Sequence, residues 1–325
     1  MKSKIVFSSI LLIFLFLFLF QPTKEIKYRG FGWYGYLADD ELNEKSIEVI
    51  KNLGGNSVNI NIYYEYDPKN KTFILISNLT LLKEKIELAH RHKLKVFLSP
   101  FVNLVGGHYL ANKIKEPKVF LEKAKNASIE IAKFAEENKV ELYAIWNELG
   151  LSFLEKGNST EIVNKWLQEV REKVRKHYRG EITTKEGVQL GLYEKYNFSG
   201  FDYIGVTFYP FTTSFAIHPY SNISYKGVEN LKEYESVVEK EFKKLEELKK
   251  KFNNKGIILG EIGIDVVGGK FIGEDEESNR IRAKAYEIIL REGLGKVDGF
   301  FFSKFEYGKG GSKELDEIFK GFFLS

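Results

Sequence analysis

The sequence has no cysteine and only one methionine among 325 residues. Without cysteine the chain forms no disulfide, offers no thiolate to a metal and has no cysteine nucleophile. The formal net charge is only +4, and basic residues alternate with acidic ones, so no basic face for nucleic acid is indicated. Few sulfur residues together with many lysines and glutamates are typical of a protein adapted to high temperature.

Histidine is also scarce, with five in the chain. His90 and His92 are two positions apart in a predicted helix, so they do not share a face and do not form a metal site. The segment Gly30-Phe31-Gly32-Trp33 is not a G-x-G-x-x-G phosphate loop, and no Ser-His-Asp order is present. We therefore expect neither a metal nor an organic cofactor.

The N-terminus has the pattern of an export segment. Lys2 and Lys4 precede an apolar run over residues 5–20 that only two serines interrupt. As a helix this run spans about 24 Å, less than the ~30 Å of a bilayer core, so a cleaved signal peptide and a retained membrane anchor both stay open for residues 1–22. An extracellular or cell-surface protein is predicted. Six Asn-x-Ser/Thr sequons agree with export, at Asn70, Asn78, Asn126, Asn158, Asn197 and Asn222.

After this segment, apolar stretches alternate with helical patterns to the end of the chain. The predicted strands are Gly30–Tyr36, Ser57–Tyr63, Leu94–Phe101, Val140–Trp146, Glu181–Lys185, Tyr203–Phe208, Ile257–Gly260 and Val297–Phe302. Strands that alternate with helices form parallel βα units, and continuous apolar strands are covered on both faces. Eight such units predict an α/β fold, a single (β/α)₈ TIM barrel over residues 24–325, and we expect a monomer. An open doubly wound sheet is the alternative. Such a sheet usually has a glycine-rich loop after its first strand, and this chain lacks that loop.

Two of these apolar strands end at a carboxylate. Glu148 follows the fourth strand and Glu261 follows the seventh, at the barrel end where functional residues lie. Two carboxylates facing a sugar are what cleavage of a glycosidic bond requires. Glu148 is the predicted proton donor, and Tyr209 is predicted to donate a hydrogen bond that keeps Glu261 ionised as the nucleophile.

Other strand-end residues are predicted to bind the sugar, aromatic rings by stacking and polar groups by hydrogen bonds. They are Trp33, Tyr34, Asn61, Tyr63, Asn103, His108, Trp146, Asn147, Tyr209, Phe302 and Lys304. Glu186 and Glu306 also follow strands. We interpret them as solvated or supporting carboxylates.

Trp146-Asn147-Glu148 and Gly260-Glu261-Ile262-Gly263 resemble the strand-four and strand-seven motifs of the clan of retaining (β/α)₈ glycoside hydrolases, clan GH-A. The resemblance implies that Glu148 is the acid/base and Glu261 the nucleophile. It also implies that Asn147 contacts a sugar 2-hydroxyl and that Tyr209 supports the nucleophile.

Within this clan the segment 86–98, Gly32-Trp33-Tyr34 and Gly260-Glu261-Ile262-Gly263 are similar to the family 113 β-mannanases. Phe208-Tyr209-Pro210-Phe211 is instead similar to the family 53 endo-β-1,4-galactanases. Many clan members end strand eight with a tryptophan that lies under the central sugar, and residues 299–305 contain none. Phe302, Phe305 or another strand would then form that floor.

Three functions follow as hypotheses. The first is an exported retaining β-glycosidase that hydrolyses a β-linked hexose polysaccharide, with endo cleavage of β-1,4-mannan preferred and endo-β-1,4-galactan as the alternative. The second is a surface barrel that binds carbohydrate without cleaving it. The third is a barrel enzyme of other chemistry, such as an aldolase, with Lys185 or Lys304 as its strand-end lysine.

Overall fold

The structure is a computed structural model that describes residues 25–33, 42–110, 114–153, 159–188, 191–210, 231–264, 266–267, 270–271, 276–303 and 313–324. For Trp33 and His108 it describes the backbone and not the side chain. The predicted export segment over residues 1–22 lies outside these ranges. Among the helices within them, none is long and apolar enough to cross a membrane.

Eight parallel strands close into a barrel. In barrel order they are β1 (Tyr28–Trp33), β2 (Ser57–Asp67), β4 (Lys95–Leu104), β6 (Leu142–Asn147), β7 (Glu181–Gly187), β8 (Tyr203–Phe208), β9 (Gly256–Ile262) and β12 (Gly299–Phe302). Each pairs in parallel with its neighbours, and β12 pairs with β1 to close the ring. The predicted TIM barrel is confirmed.

Seven helices surround this barrel within the described residues. They are α1 (Glu44–Asn52), α2 (Leu79–Arg91), α3 (Pro117–Glu137), α4 (Ser159–Arg175), α5 (Leu231–Lys251), α6 (Glu276–Gly293) and α7 (Lys313–Phe323). Short 3₁₀ turns cover Leu149–Phe153 and Leu192–Lys195. Asparagines begin two helices: Asn43 forms a capping box with Ser46, and the Asn78 side chain accepts from Thr80 and Leu81.

The second and third barrel strands extend further than predicted. β2 continues to Asp67 and pairs antiparallel with β3 (Thr72–Leu75), and β4 continues to Leu104 and pairs with β5 (His108–Tyr109). Asp67 accepts backbone hydrogen bonds from Lys69 and Asn70 and so closes the turn before β3. A separate antiparallel pair, β10 (Val266–Val267) and β11 (Lys270–Phe271), follows β9.

The barrel interior is packed in layers. At the end where the strands begin, Lys27, Tyr28 and Tyr203 surround Glu181 with hydrogen bonds. Above them lies an inner apolar cluster that includes Leu142, Ala144, Ile258, Phe97 and Phe301. The ring of Phe301 lies over Gly30, where an added Cβ would be 2.1 Å from it, so the first strand needs glycine there. Polar residues then fill the carboxyl end, which leaves a hydrophilic layer at the barrel mouth.

Candidate active site

β6 is irregular just before it delivers Glu148. Its register against β7 shifts between Ala144 and Asn147. Ala144 packs in the inner cluster, whereas both Ile145 and Trp146 pack in the outer core against the helices. Two successive residues on one face are what a β-bulge produces. After the bulge, Asn147 lies opposite Lys185 of β7, and Glu148 follows at the end of the strand.

Glu148 has a left-handed backbone conformation with φ of 50°, which is uncommon for a residue with a Cβ. Its N–H donates to the carbonyl of Lys185 at 2.6 Å. Its side-chain Oε1 accepts a hydrogen bond of 2.6 Å from the hydroxyl of Thr207. Conformations of this kind persist where the surroundings fix them, and they are frequent at functional sites.

A second bulge precedes Glu261. Between β8 and β9 the register passes from Val206 opposite Leu259 to Thr207 opposite Glu261, so Gly260 is the extra residue. The hydroxyl of Tyr209 donates to Glu261 Oε1 at 2.9 Å, as the sequence predicted. The same hydroxyl lies 3.0 Å from Ser303 Oγ, which in turn donates to a backbone carbonyl at 2.7 Å.

Glu261 also has a cationic partner. Its Oε2 forms an ion pair with Lys185 Nζ at 2.9 Å. The lysine side chain is 0% exposed and that of Glu261 is 14% exposed, so water screens the pair little.

Thr207 is in contact with the residues of both carboxylates. It lies opposite Glu261 in the β8–β9 register and donates its hydroxyl to Glu148. Both carboxylates therefore lie at the carboxyl end of the barrel.

Glu186 is buried behind the backbone that follows Glu148. Its two carboxyl oxygens accept from the N–H groups of Leu149 and Gly150 at 3.2 and 3.3 Å. Burial raises the pKa of Glu186 to about 8, and the nearby charge of Glu148 acts in the same direction. Glu186 is thus a supporting carboxyl of the site and is not solvated.

A cluster of polar side chains lines the barrel below the carboxylates. Ser99 Oγ donates to Asn61 Oδ1 at 2.6 Å and lies 3.4 Å from both Asn59 Oδ1 and Lys185 Nζ. Within the described residues, the buried Nδ2 groups of Asn59 and Asn61 donate to no protein atom. Buried donors of this kind are normally satisfied, so they mark a place for water or a ligand hydroxyl.

The structure brings several predicted sugar-binding residues to this mouth. Asn61 and Tyr63 share one face of β2, and the ring of Tyr63 contacts that of Phe101, with centroids 5.4 Å apart. Asn103 lies two residues beyond Phe101, on the same face of β4. Asn147 Oδ1 is buried and accepts no hydrogen bond from the described residues. One cleft is lined by Phe101, Val102, Leu110, Trp146, Asn147, Glu148, Leu151 and Ser152, although Trp146 is only 1% exposed.

Two aromatic residues that were predicted to stack on the sugar pack in the outer core instead. Trp146 is 1% exposed and packs edge-on against Trp166 in the outer core, because the bulge turns it away from the mouth. Phe302 is 0% exposed and packs against Phe319, since Phe301 takes the inward position of the alternating strand. Neither ring is open to a sugar, which corrects both expectations.

The remaining predicted residues cannot be placed as side chains. Tyr34 and Lys304 lie outside the described residues, as does Glu306. The backbone of Trp33 ends β1 opposite Ile60, and that of His108 pairs with Leu104. Their roles stay predictions.

Sequence reasoning did not assign three residues of the site. The sequence indicates Lys185 only as a candidate aldolase lysine, and no motif assigns a role to Thr207 or Ser99 within their predicted strands. Each is a polar residue in an otherwise apolar or buried strand, at 0% exposure. That pattern was the available signal, because a polar side chain inside a barrel needs a partner.

No family model and no curated protein matches the sequence. Solved structures do match. The GH113 β-mannanase AaManA of Alicyclobacillus acidocaldarius aligns with a TM-score of 0.67 at 15% identity, over 92% of this chain and 97% of that one. The fold is that of glycoside hydrolases.

Two further structures show how widely the fold is shared. PbGH5A, a family 5 glycoside hydrolase of Prevotella bryantii B14 seen with a xyloglucan tetradecasaccharide, has a TM-score of 0.67 at 13% identity, over 92% of this chain and 96% of that one. A fungal β-1,4-galactanase has a TM-score of 0.59 at 14% identity, over 91% of this chain and 99% of that one. The β-mannanases and the β-1,4-galactanases, which are the two groups that the sequence motifs resemble, thus both have structures with this fold.

Proposed function

We propose that this protein is a retaining β-glycosidase that hydrolyses a β-linked hexose polysaccharide, with β-1,4-mannan as the preferred substrate and cleavage within the chain. One observation carries the proposal. Glu148 and Glu261 both end strands at one barrel mouth, where Thr207 donates to the Glu148 carboxylate and a buried ammonium group lies against that of Glu261. Glu261, beside the cation, is suited to attack, and we assign proton transfer to Glu148.

The reaction takes two steps. A Glu261 oxygen attacks the anomeric carbon, while Glu148 gives its proton to the departing glycosidic oxygen as that bond breaks. Water then attacks the anomeric carbon and gives a proton to Glu148, and the electron pair of the glycosyl ester bond returns to Glu261. Asn147 precedes Glu148, and its buried amide oxygen accepts no hydrogen bond from the described residues, which supports a role in binding a hydroxyl of the same sugar.

The choice of mannan rests on similarity. The motifs at residues 32–34, 86–98 and 260–263 resemble the family 113 β-mannanases, and the GH113 structure superposes with a higher TM-score than the galactanase. β-1,4-Galactan is the alternative substrate, and the turnover assay described next tests both polymers.

The test is turnover of mannan, galactan and glucan by the purified protein and by Glu148→Ala and Glu261→Ala. We expect release of mannan oligosaccharides, a loss of about 10²–10⁴-fold in Glu148→Ala, and no detectable turnover in Glu261→Ala. Azide should rescue Glu148→Ala as a β-glycosyl azide and Glu261→Ala as an α-glycosyl azide, which assigns the two roles separately.

Glu84→Gln is the matched control, since Glu84 is exposed on α2. Tight polysaccharide binding without cleavage by the wild type would make the protein a carbohydrate-binding barrel. Full activity in Glu261→Ala would refute the assignment of the nucleophile.

We also propose that residues 1–22 export the protein to the cell surface or beyond. The charged start and the apolar run over residues 5–20 support this. Fractionation of cells that express the full chain, compared with a chain that begins at residue 24, tests it. Equal distribution of the two chains in the cytoplasm would contradict export.

A further inference from the structure

Lys185 is the most unusual charge in the described part of the chain. It lies on β7 inside the barrel, 0% exposed, and its Nζ is 2.9 Å from Glu261 Oε2 and 3.4 Å from Ser99 Oγ. A buried ammonium is costly unless a nearby charge compensates it. Here the compensating charge belongs to the proposed nucleophile. The lysine and Glu261 come from strands that are not neighbours, since β8 lies between them.

β9 leaves room for the stem of this lysine. A Cβ added to Gly260 would be 2.9 Å from Lys185 Cγ and 3.1 Å from a ring carbon of Phe97. Contacts this short do not occur without a shift of the neighbours. Gly260 is also the bulge residue that precedes Glu261. The same position therefore turns the carboxylate toward the mouth and lets the lysine reach it.

The backbone of Lys185 contacts the other carboxylate residue. Its carbonyl accepts the N–H of Glu148 at 2.6 Å and so stabilises the left-handed conformation there. One residue thus touches Glu261 through its side chain and Glu148 through its main chain. Among the described residues, Tyr209, Glu148 and Glu186 are further titratable groups that the neighbouring strand ends bring to this region.

We propose that Lys185 is the positioning residue of the site, which orients the Glu261 carboxylate and stabilises it as the leaving group of the second step. The proposal rests on the proposed function. In the first step Glu261 loses its negative charge as the glycosyl ester forms. In the second step the ester bond breaks and the charge returns beside the ammonium. A cation next to Glu261 therefore favours the second step more than the first.

This asymmetry predicts a specific kinetic change. Lys185→Met, which keeps the stem and removes the charge, should slow the second step more than the first. An aryl β-mannoside should then give a burst of phenol followed by slow turnover, with kcat and KM both lowered.

Three further variants complete the kinetic design. Lys185→Arg keeps the charge and should show no burst. Gly260→Ala should resemble Lys185→Met, because the added methyl displaces the lysine stem. Lys95→Met is the control, since Lys95 Nζ donates to the carbonyl of Lys27 at the opposite end of the barrel. A Lys185→Met variant that shows no burst would overturn the proposal.

A thermal-unfolding cycle tests the pair without any turnover. The Tm values of Lys185→Met, Glu261→Gln and the double variant are compared with that of the wild type. We expect the double variant to lose less than the sum of the single losses, because each single change leaves a buried group without its partner. Additive losses would overturn the proposal. Coupled losses in a protein that cleaves no glycoside would support Lys185 as the partner of Glu261 and refute the proposed function alone.

Discussion

Glu186 makes the stability of this protein depend on pH in a specific direction. The side chain is 1% exposed, and its partners are the backbone N–H groups of Leu149 and Gly150. Burial raises its pKa from 4.5 to about 8, so at pH 7 the folded protein holds Glu186 as a neutral acid. In the unfolded chain the same group is ionised at that pH.

The size of the effect follows from proton linkage. Between pH 4.5 and about 8 the folded state keeps a proton that the unfolded state has released. The free energy of unfolding therefore falls as the pH rises through this window, by about 1.4 kcal/mol per pH unit from this group. The contribution is complete below pH 4.5 and is lost once the pH passes 8. From pH 5 to pH 7 the change is about 3 kcal/mol, against a total stability of about 5–15 kcal/mol.

Glu186→Gln removes the titration while it keeps the shape of the side chain. Urea unfolding of wild type and variant at pH 5 and pH 7, at one ionic strength, measures the two free energies. Relative to wild type, the variant should gain about 3 kcal/mol in going from pH 5 to pH 7. Its absolute stability also reflects the two N–H partners, one of which would face an amide nitrogen, so the change with pH is the decisive quantity.

Glu84→Gln is the control for this comparison, because Glu84 is exposed on α2. Its difference from wild type should be the same at both pH values. A Glu186→Gln variant whose difference from wild type does not change between pH 5 and pH 7 would refute the burial argument.

Other predictions concern the residues around the carboxylates. Tyr209→Phe removes the 2.9 Å hydrogen bond to Glu261 and should lower kcat/KM by roughly 10–100-fold, as loss of about 1.5–3 kcal/mol implies, measured on an aryl β-glycoside. Thr207→Val removes the donor to Glu148 and should lower kcat/KM about tenfold in the same assay. Trp146→Phe should cost about 1–3 kcal/mol in urea unfolding and leave KM unchanged, whereas a raised KM would indicate a sugar contact.

The barrel could be predicted because eight strand-like stretches alternate with helical patterns. In Ser57 to Tyr63, for example, Val58, Ile60 and Ile62 pack in the outer core and alternate with buried Ser57, Asn59 and Asn61, which is the period of a strand. The hairpin that extends β2 was missed, although Asp67-Pro68-Lys69-Asn70 is a turn sequence. The turn sequence is the local signal for this hairpin, because the turn directs Thr72–Leu75 back along β2.

The carboxylates could be predicted from their place at strand ends, but the aromatic contacts could not. Strand alternation assigns Trp146 to the inner face, and the bulge between Ala144 and Asn147 reverses this. A bulge adds one residue to a strand without any change in its apolar character, so the sequence pattern does not reveal it. The prediction that Phe302 binds sugar is wrong for a simpler reason, because three consecutive phenylalanines do not indicate which one fills the barrel.

The two bulges and the lysine form one structural device. A regular β9 would place Gly260 and Glu261 on opposite faces, with the carboxylate against the helices. The extra residue at Gly260 brings Glu261 opposite Thr207 at the mouth, and its missing Cβ admits Lys185. The β6 bulge likewise brings Asn147 opposite Lys185 and allows Glu148 to donate its N–H to the lysine carbonyl. Both irregular strands therefore contact Lys185. This one residue helps to position both carboxylates, although 113 positions separate them in the sequence.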